Sequence, residues 1–427
     1  MKSTTDYPPP RLVFWETTAG CNLRCIHCRR ITVAEELMPQ DLTTEESYKL
    51  IDQVADIGSP VFVLSGGEPM FRPDIYDIAR YATKAGLPVA LATNGTLIGN
   101  LETAEKIRDS GVKRVSISFD GADAATHDAF RGLPGSFDEA IKGFKLLREV
   151  GLPVQINTTI AKHNQEQLTG VLALAKDLDA IGLHLFLLVP VGCGTEIAED
   201  QMISAVEYER VLDWLHRTER SEPGLQLKAT CAPHYFRVMH EHKIVAKKSG
   251  DTSELPPSHH RQVYGHLHGK PGMPVNGAPK NGNGGHPGGG HPGGGHPGGG
   301  HDHQMHAATK GCLAGTGVCF VSHRGEVFPC GYLPVEAGNV REKTFGDIWQ
   351  NSKLFAELRD PDQLGGKCGE CQYVRLCSGC RARAYGTVGD YLAEEPFCAY
   401  DPKTRSIRIA PQALESGDIS LPQTELI

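Results

Sequence analysis

No stretch of this sequence approaches the 18 consecutive apolar residues of a membrane-crossing helix, so no span is expected. The opening residues, MKSTTDYPPP, lack the charged start and apolar centre of a secretory leader. Positive charge is short as well. The 43 Lys and Arg against 51 Asp and Glu leave a formal net charge of −8, which offers no electrostatic footprint for nucleic acid. Together these absences lead us to expect a protein of a reducing, cytoplasmic compartment. What the chain does hold is cysteine, thirteen in 427 residues. In such a compartment clustered cysteines bind metal more often than they pair as disulfides. Apolar residues at 40% suit a globular chain long enough for two or more domains.

Short apolar, β-branched stretches recur along the first half: "RLVFWETT" (11–18), "VFVLSG" (61–66), "VALAT" (89–93), "RVSISFD" (114–120), "VQINTTI" (154–160) and "GLHLFLLVP" (182–190). Amphipathic stretches such as "DIYDIARYATKAG" and "SFDEAIKGFKLLREVG" lie between them. That alternation predicts a parallel sheet covered by helices. An open or partial barrel fits; pattern alone also allows a doubly wound sheet. Residues 199–247 read as helix, strand ("LQLKAT") and helix.

Residues 248–310 change character. Gly, Pro, His and Asn dominate, and "HPGGGHPGGGHPGGGH" repeats every five residues, with His286, His291, His296 and His301 in register and His303 and His306 beyond. A segment with nothing to bury is expected to be disordered. We read it as a flexible insertion in preference to a weak metal-binding tract, because composition carries no site geometry. From residue 311 the cysteines return, with Cys312, Cys319, Cys330, Cys368, Cys371, Cys377, Cys380 and Cys398. Rich in Gly and short turns, this part reads as a small domain held by metal rather than by a large core.

The remaining cluster is "GCNLRCIHCRR" (20–30), where Cys21, Cys25 and Cys28 follow Cys-x3-Cys-x2-Cys. Structural zinc takes four ligands and closes its shell. A 4Fe–4S cubane normally takes four cysteines, so three leave one iron open to a small chelating molecule. Zinc or a redox thiol group is the competing reading of the motif taken alone.

With the cysteine motif, four matches in chain order settle the comparison. The cysteine motif after a strand, "SGGEPM" (65–70), "ATNGT" (92–96) and "SISFDG" (116–121) resemble the radical S-adenosylmethionine (SAM) family. The resemblance implies a partial (β/α)6 barrel of α/β class. It implies a SAM-binding 4Fe–4S cluster on Cys21, Cys25 and Cys28. Gly66, Gly67 and Glu68 would then receive the SAM ammonium, with glycine letting the backbone approach. Thr93 and Asn94 would line the pocket, and Ser118 and Asp120 would meet ribose or carboxylate. Asn157 is a weaker candidate. All lie at the carboxyl ends of strands, where such sheets place ligands. His27 would pack over the cluster rather than ligate it.

"GEVFPC" (325–330) and "CGECQYVRLCSGC" (368–380), followed by Cys398, are similar to the SPASM domain, which houses auxiliary 4Fe–4S clusters. By that resemblance Cys312, Cys319, Cys330 and Cys380 would hold one cluster. Cys368, Cys371, Cys377 and Cys398 would hold the other. One cluster with spare thiols, or a zinc ribbon, is the alternative. The spacing before Cys380 is x2 where x3 is usual. Longer strings, among them "VLSGGEPMFRPDI" and "CRARAYGTVGDYLAEEPFC", resemble the heme b synthases of the siroheme-dependent pathway. These oxidatively decarboxylate iron-coproporphyrin III. Relatives that trim acetate side chains of porphyrins, and SPASM peptide maturases, share the core. The resemblance implies an iron-porphyrin substrate and a reductant such as flavodoxin or ferredoxin. Arg29, Arg30, Arg324, Arg341, Arg381 and Arg383 are candidate clamps for its carboxylates, although any single one is more simply a paired or surface arginine. Cys231, His234 and Cys193 read as buried or inert side chains. The expected organisation is 11–247 for the SAM core and following helix–strand–helix, 248–310 for the insertion, 311–402 for the auxiliary domain and 403–427 for a tail.

Overall fold

A computed structural model describes residues 7–29, 35–249 and 311–407. The histidine tract and Arg30 lie outside the described residues. The strands are β1 (Leu12–Glu16), β2 (Val61–Ser65), β3 (Val89–Thr93), β4 (Arg114–Ser118), β5 (Val154–Ile160), β6 (Gly182–Leu187), β7 (Gln226–Thr230), β8 (Val318–Val321), β9 (Glu326–Phe328) and β10 (Gly338–Asn339). They form a ten-stranded sheet in the order β10-β9-β8-β1-β2-β3-β4-β5-β6-β7. From β1 to β7 each strand is parallel to the next, and helices fill the crossovers between β2 and β7. This is the α/β partial barrel expected, extended by one strand at β7. β8 pairs parallel with β1, and β9 returns antiparallel. The segments on either side of the insertion therefore share one sheet.

Register separates the two faces. Val13, Phe62 and Val89 align across β1–β3, as do Trp15, Leu64 and Leu91. Val115, Val154, Ile156, Leu183 and Leu227 continue this face through β7. All are buried in the main core beneath the helices, each large apolar side chain contributing ~1.5–3 kcal/mol. The opposite face is concave and partly open. It carries Ser118, Asn157, His184 and Lys228 side by side, a polar row. The helices are locally specified: Thr44–Ile57 starts with a capping box, in which Thr43 accepts the Glu46 amide and Glu46 accepts that of Thr43. No helix among the described residues is long and apolar enough to cross a membrane.

Candidate active site

β1 delivers the chain into the three-cysteine loop. The Gly67 amide donates to the Thr18 carbonyl at 3.0 Å and that of Glu68 to the Gly20 carbonyl at 2.8 Å. A Cβ on Gly67 would stand 2.3 Å from the Gly20 oxygen. What bars a side chain at Gly67 is thus the cysteine loop itself, a neighbour the motif alone does not reveal. Cys21 Sγ accepts the Leu23 amide at 3.4 Å, and Cys25 Sγ accepts Arg131 Nη1 at 3.7 Å. Burial pushes the Cys21 thiol up to about 12. It also raises Cys25, against the opposing pull of Arg131. Deprotonating these thiols in isolation is costly; binding to iron is what favours the thiolate.

Arg131 organises the next layer. Its Nη2 lies 2.6 Å from Asp120 Oδ2, and both side chains are buried. His27 Nε2 stands 3.3 Å from the same oxygen. The His27 ring stacks on Phe130 at 4.1 Å and 7°. Burial lowers His27 to about 4, so it is neutral near pH 7. Burial alone would raise Asp120, but Arg131 and His27 hold it below the usual carboxylate range. Asp120 Oδ1 also accepts the Thr159 amide at 2.6 Å. Expected as a SAM contact, Asp120 is engaged with protein groups and reaches the cysteine loop through Arg131. Arg131 itself was missed by sequence reasoning, since nothing local links the end of the helix Ala124–Arg131 to Cys25.

Glu68, Thr93 and Asn94 do come together. Glu68 Oε1 accepts Thr93 Oγ1 at 2.7 Å and the Met70 amide at 3.0 Å, while Oε2 accepts the Asn94 amide at 2.7 Å. The carboxyl is fully buried, and burial pushes it up to about 7 against these hydrogen bonds. Asn94 Nδ2 donates to Asn22 Oδ1 at 2.9 Å, which ties the end of β3 to the cysteine loop. Ser118 and Asn157 are register partners on the concave face. Asn157 accepts Gln155 Nε2 at 2.8 Å, and both candidates keep partial exposure.

The auxiliary cysteines fall into two groups. Cys368, Cys371, Cys377 and Cys398 line one cavity with His234 and Arg237. Amides of Tyr373, Gly379 and Glu395 donate to Cys371, Cys377 and Cys368 Sγ at 3.4, 3.4 and 3.2 Å. Such N–H···S bonds stabilise thiolate charge, so the donor set fits an iron–sulfur body. His234 is fully buried, and neither ring nitrogen meets a partner among the described residues. Ser378 and Gly379 have φ of 62° and 61°; this left-handed pair turns the chain within two residues and sends Cys377 and Cys380 to different groups. That is how the short x2 spacing is accommodated. Cys380 packs with Cys330 and Cys231; the Cys312 amide donates to the Cys377 carbonyl at 3.1 Å, and charge on Cys312 bears on both Cys330 and Cys380.

Cys319 departs from expectation. It aligns with Val13 on the helix side of the sheet, fully buried in the apolar core, away from the other cysteines. Four consecutive apolar-sized residues in β8, Val-Cys-Phe-Val, give the sequence no parity signal. None of the thirteen cysteines pairs in a disulfide. Among the described residues no three His, Cys, Asp or Glu side chains close on a single ion; a zinc site needs four ligands at about 2.0–2.3 Å from one point, whereas a cubane is held at its corners by one thiolate per iron.

The described candidate arginines all have protein partners. Arg29 pairs with Glu16 at 2.6 Å, Arg324 with Glu326 at 2.6 Å and Arg341 with Glu46 at 2.7 Å. Arg381 donates to the Tyr391 and Ala393 carbonyls. Arg383 binds Glu395 and the Cys231 carbonyl. Two residues the sequence did not single out adjoin the candidate groups. Tyr332 packs with the Cys330–Cys380 group; burial raises its hydroxyl, and charges at Cys231, Cys330 and Cys28 bear on it. Lys228 is exposed beside His184 on the concave face. Cys193 sits close enough to the first loop for a charge on Cys28 to raise its thiol, after burial.

Comparison with known proteins agrees with this arrangement. Residues 15–175 match the radical SAM superfamily, and residues 312–381 match SPASM, an iron-sulfur cluster-binding domain. The chain is 48% identical over 393 residues to the AdoMet-dependent heme synthase of Methanosarcina barkeri, covering 92% of this chain and 97% of the relative. It is 41% identical over 396 residues to the protein of the same name from Nitratidesulfovibrio vulgaris, covering 93% and 94%. Streptococcus suis SuiB, solved bound to S-adenosylmethionine, shares the fold at a TM-score of 0.64 and 17% identity, over 93% of this chain and 79% of that one.

Proposed function

Since the chain belongs to the AdoMet-dependent heme synthase family within the radical SAM superfamily, and so is a radical SAM enzyme of heme synthesis with SAM-binding and auxiliary iron–sulfur clusters, we propose that it converts iron-coproporphyrin III to heme b. Each of two propionates must lose a hydrogen atom from its β-carbon, its carboxylate as carbon dioxide, and one electron, leaving a vinyl. Bound on Cys21, Cys25 and Cys28, the cluster with SAM would supply the radical that takes the hydrogen atom, and an auxiliary cluster would supply a sink for the electron.

What supports this reading is the arrangement of the thiols: a three-cysteine loop tied to the turn after β2 through Gly67 and Glu68 would leave one iron open for SAM, and the separate cysteine groups of the C-terminal segment would offer the electron exit that an oxidative step needs. The protein's own part is to position and to exclude water. Lys228 offers a cation to a porphyrin carboxylate, with Asn157 and His184 as neutral neighbours in the row. Arg131 and Asp120 hold Cys25, and Glu68 holds the end of β3, where Thr93 and Asn94 would border SAM. Ser118 and the Gly66–Gly67 backbone would complete that pocket. A small carrier such as flavodoxin or ferredoxin would deliver the reducing electron.

Anaerobic incubation with iron-coproporphyrin III, SAM and a chemical reductant, followed by mass spectrometry, tests the proposal. A mono-vinyl intermediate followed by heme b is expected. Acetate-chain decarboxylation on a related porphyrin, with iron-coproporphyrin III untouched, would overturn it.

A further inference from the structure

We infer that Cys231 is the fourth ligand of the first auxiliary cluster, in the place where Cys319 would be expected. A cubane held wholly by protein needs one thiolate at each of four irons. Cys312, Cys330 and Cys380 supply three. Cys319 cannot join them without reversing β8: it shares a register row with Val13 and lies in the core beneath the helices. Cys231 lies on the opposite side of that problem. It packs against the small cluster that contains Cys380 and that Cys330 also packs against, and charges on Cys380, Cys330 and Cys312 all bear on it.

The backbone around Cys231 is built to aim it. β7 ends at Thr230, and Cys231 then adopts φ 57°. A left-handed conformation is strained for a non-glycine residue and persists where surroundings over-determine it. Here Arg383 Nη2 donates to the Cys231 carbonyl at 2.7 Å. The same arginine pairs with Glu395 at 3.1 Å, and Glu395 accepts the Cys380 amide at 2.7 Å. One buried chain of polar contacts therefore fixes Cys231 and Cys380 together. Three residues on, His234 lines the cavity of the other cysteine group, so the Cys231–His234 loop runs between the two. With Cys231 counted, each group holds four cysteines, and Cys319 and Cys193 remain outside.

The inference rests on the auxiliary clusters and not on which porphyrin is the substrate, and its test needs no turnover. Cys21, Cys25 and Cys28 are changed to alanine, so that only auxiliary iron remains, about eight atoms for two cubanes. Adding Cys231→Ala should lower the iron to between about four and seven and, when one iron alone is lost, give the electron paramagnetic resonance signal of an oxidised three-iron cluster. Adding Cys319→Ala should change neither. Should Cys231→Ala fail to fold, Cys231→Ser, nearly isosteric, should keep the iron but alter the resonance of one reduced auxiliary cluster. Full iron with unchanged spectra in the Cys231 variants, or equal loss in Cys319→Ala, would overturn the assignment.

Discussion

Replacing Glu68 with glutamine separates its charge from its shape. The carboxylate now accepts three hydrogen bonds, from the Met70 and Asn94 amides and the Thr93 hydroxyl. A glutamine must place its NH2 against one of the two amides, because each oxygen faces one. That leaves a buried N–H without an acceptor, a cost of ~1–3 kcal/mol in stability. The charge matters separately, through pH. Burial lifts Glu68 to about 7 from the ordinary 4.5. The folded protein therefore binds the proton more tightly than the unfolded chain, and stability falls as pH rises from 4.5 to 7, then levels off. If the SAM ammonium meets this carboxylate, binding requires the charged form. Affinity should then improve about tenfold between pH 6 and pH 8, following the ionised fraction of a group near 7. Glu68→Gln should flatten that profile and weaken binding at pH 8 by about 10–100-fold, the worth of one charge-assisted hydrogen bond. Anaerobic calorimetric titration of SAM against cluster-loaded protein at three pH values measures both effects. A glutamine variant that binds within twofold of wild type, or keeps the pH slope, would refute the reasoning.

Changing Cys21, Cys25 and Cys28 together to alanine should abolish 5′-deoxyadenosine formation while auxiliary iron is retained, as read by chromatography and iron analysis. Arg131→Met should leave Asp120 as an unpaired buried charge and cost ~3–5 kcal/mol, seen as a lowered unfolding midpoint together with faster iron loss from the SAM-binding cluster. Removing residues 266–306 should leave the midpoint and heme yield nearly unchanged, because a Gly-, Pro- and His-rich tract carries little apolar surface to bury.

What was legible in the sequence was local. "VFVLSG", "VALAT" and "VQINTTI" coincide with β2, β3 and β5 within a residue, because short β-branched runs bounded by Gly and Pro have few other conformations. The union of Glu68 with Thr93 and Asn94 follows from adjacent parallel strands ending at the same level. The departures are long-range. The resemblance to SPASM puts Cys319 with the auxiliary ligands, but a resemblance of motifs does not say which face of β8 it takes, and its neighbours are apolar on both sides. Cys231 and Arg131 meet their partners across 149 and 106 positions respectively (231 to 380, and 25 to 131), distances over which no residue pattern speaks. The described candidate arginines are paired with protein groups, the simpler reading preferred for any single one; sequence could not rank a nearby carboxylate or carbonyl against a substrate.

The decisive quantity is the origin of the hydrogen atom. Iron-coproporphyrin III deuterated at the propionate β-carbons, turned over anaerobically with SAM, should pass deuterium into 5′-deoxyadenosine, with two SAM consumed per heme b once uncoupled cleavage is subtracted. Unlabelled 5′-deoxyadenosine formed alongside heme b, or no vinyl product from this porphyrin at all, would contradict it.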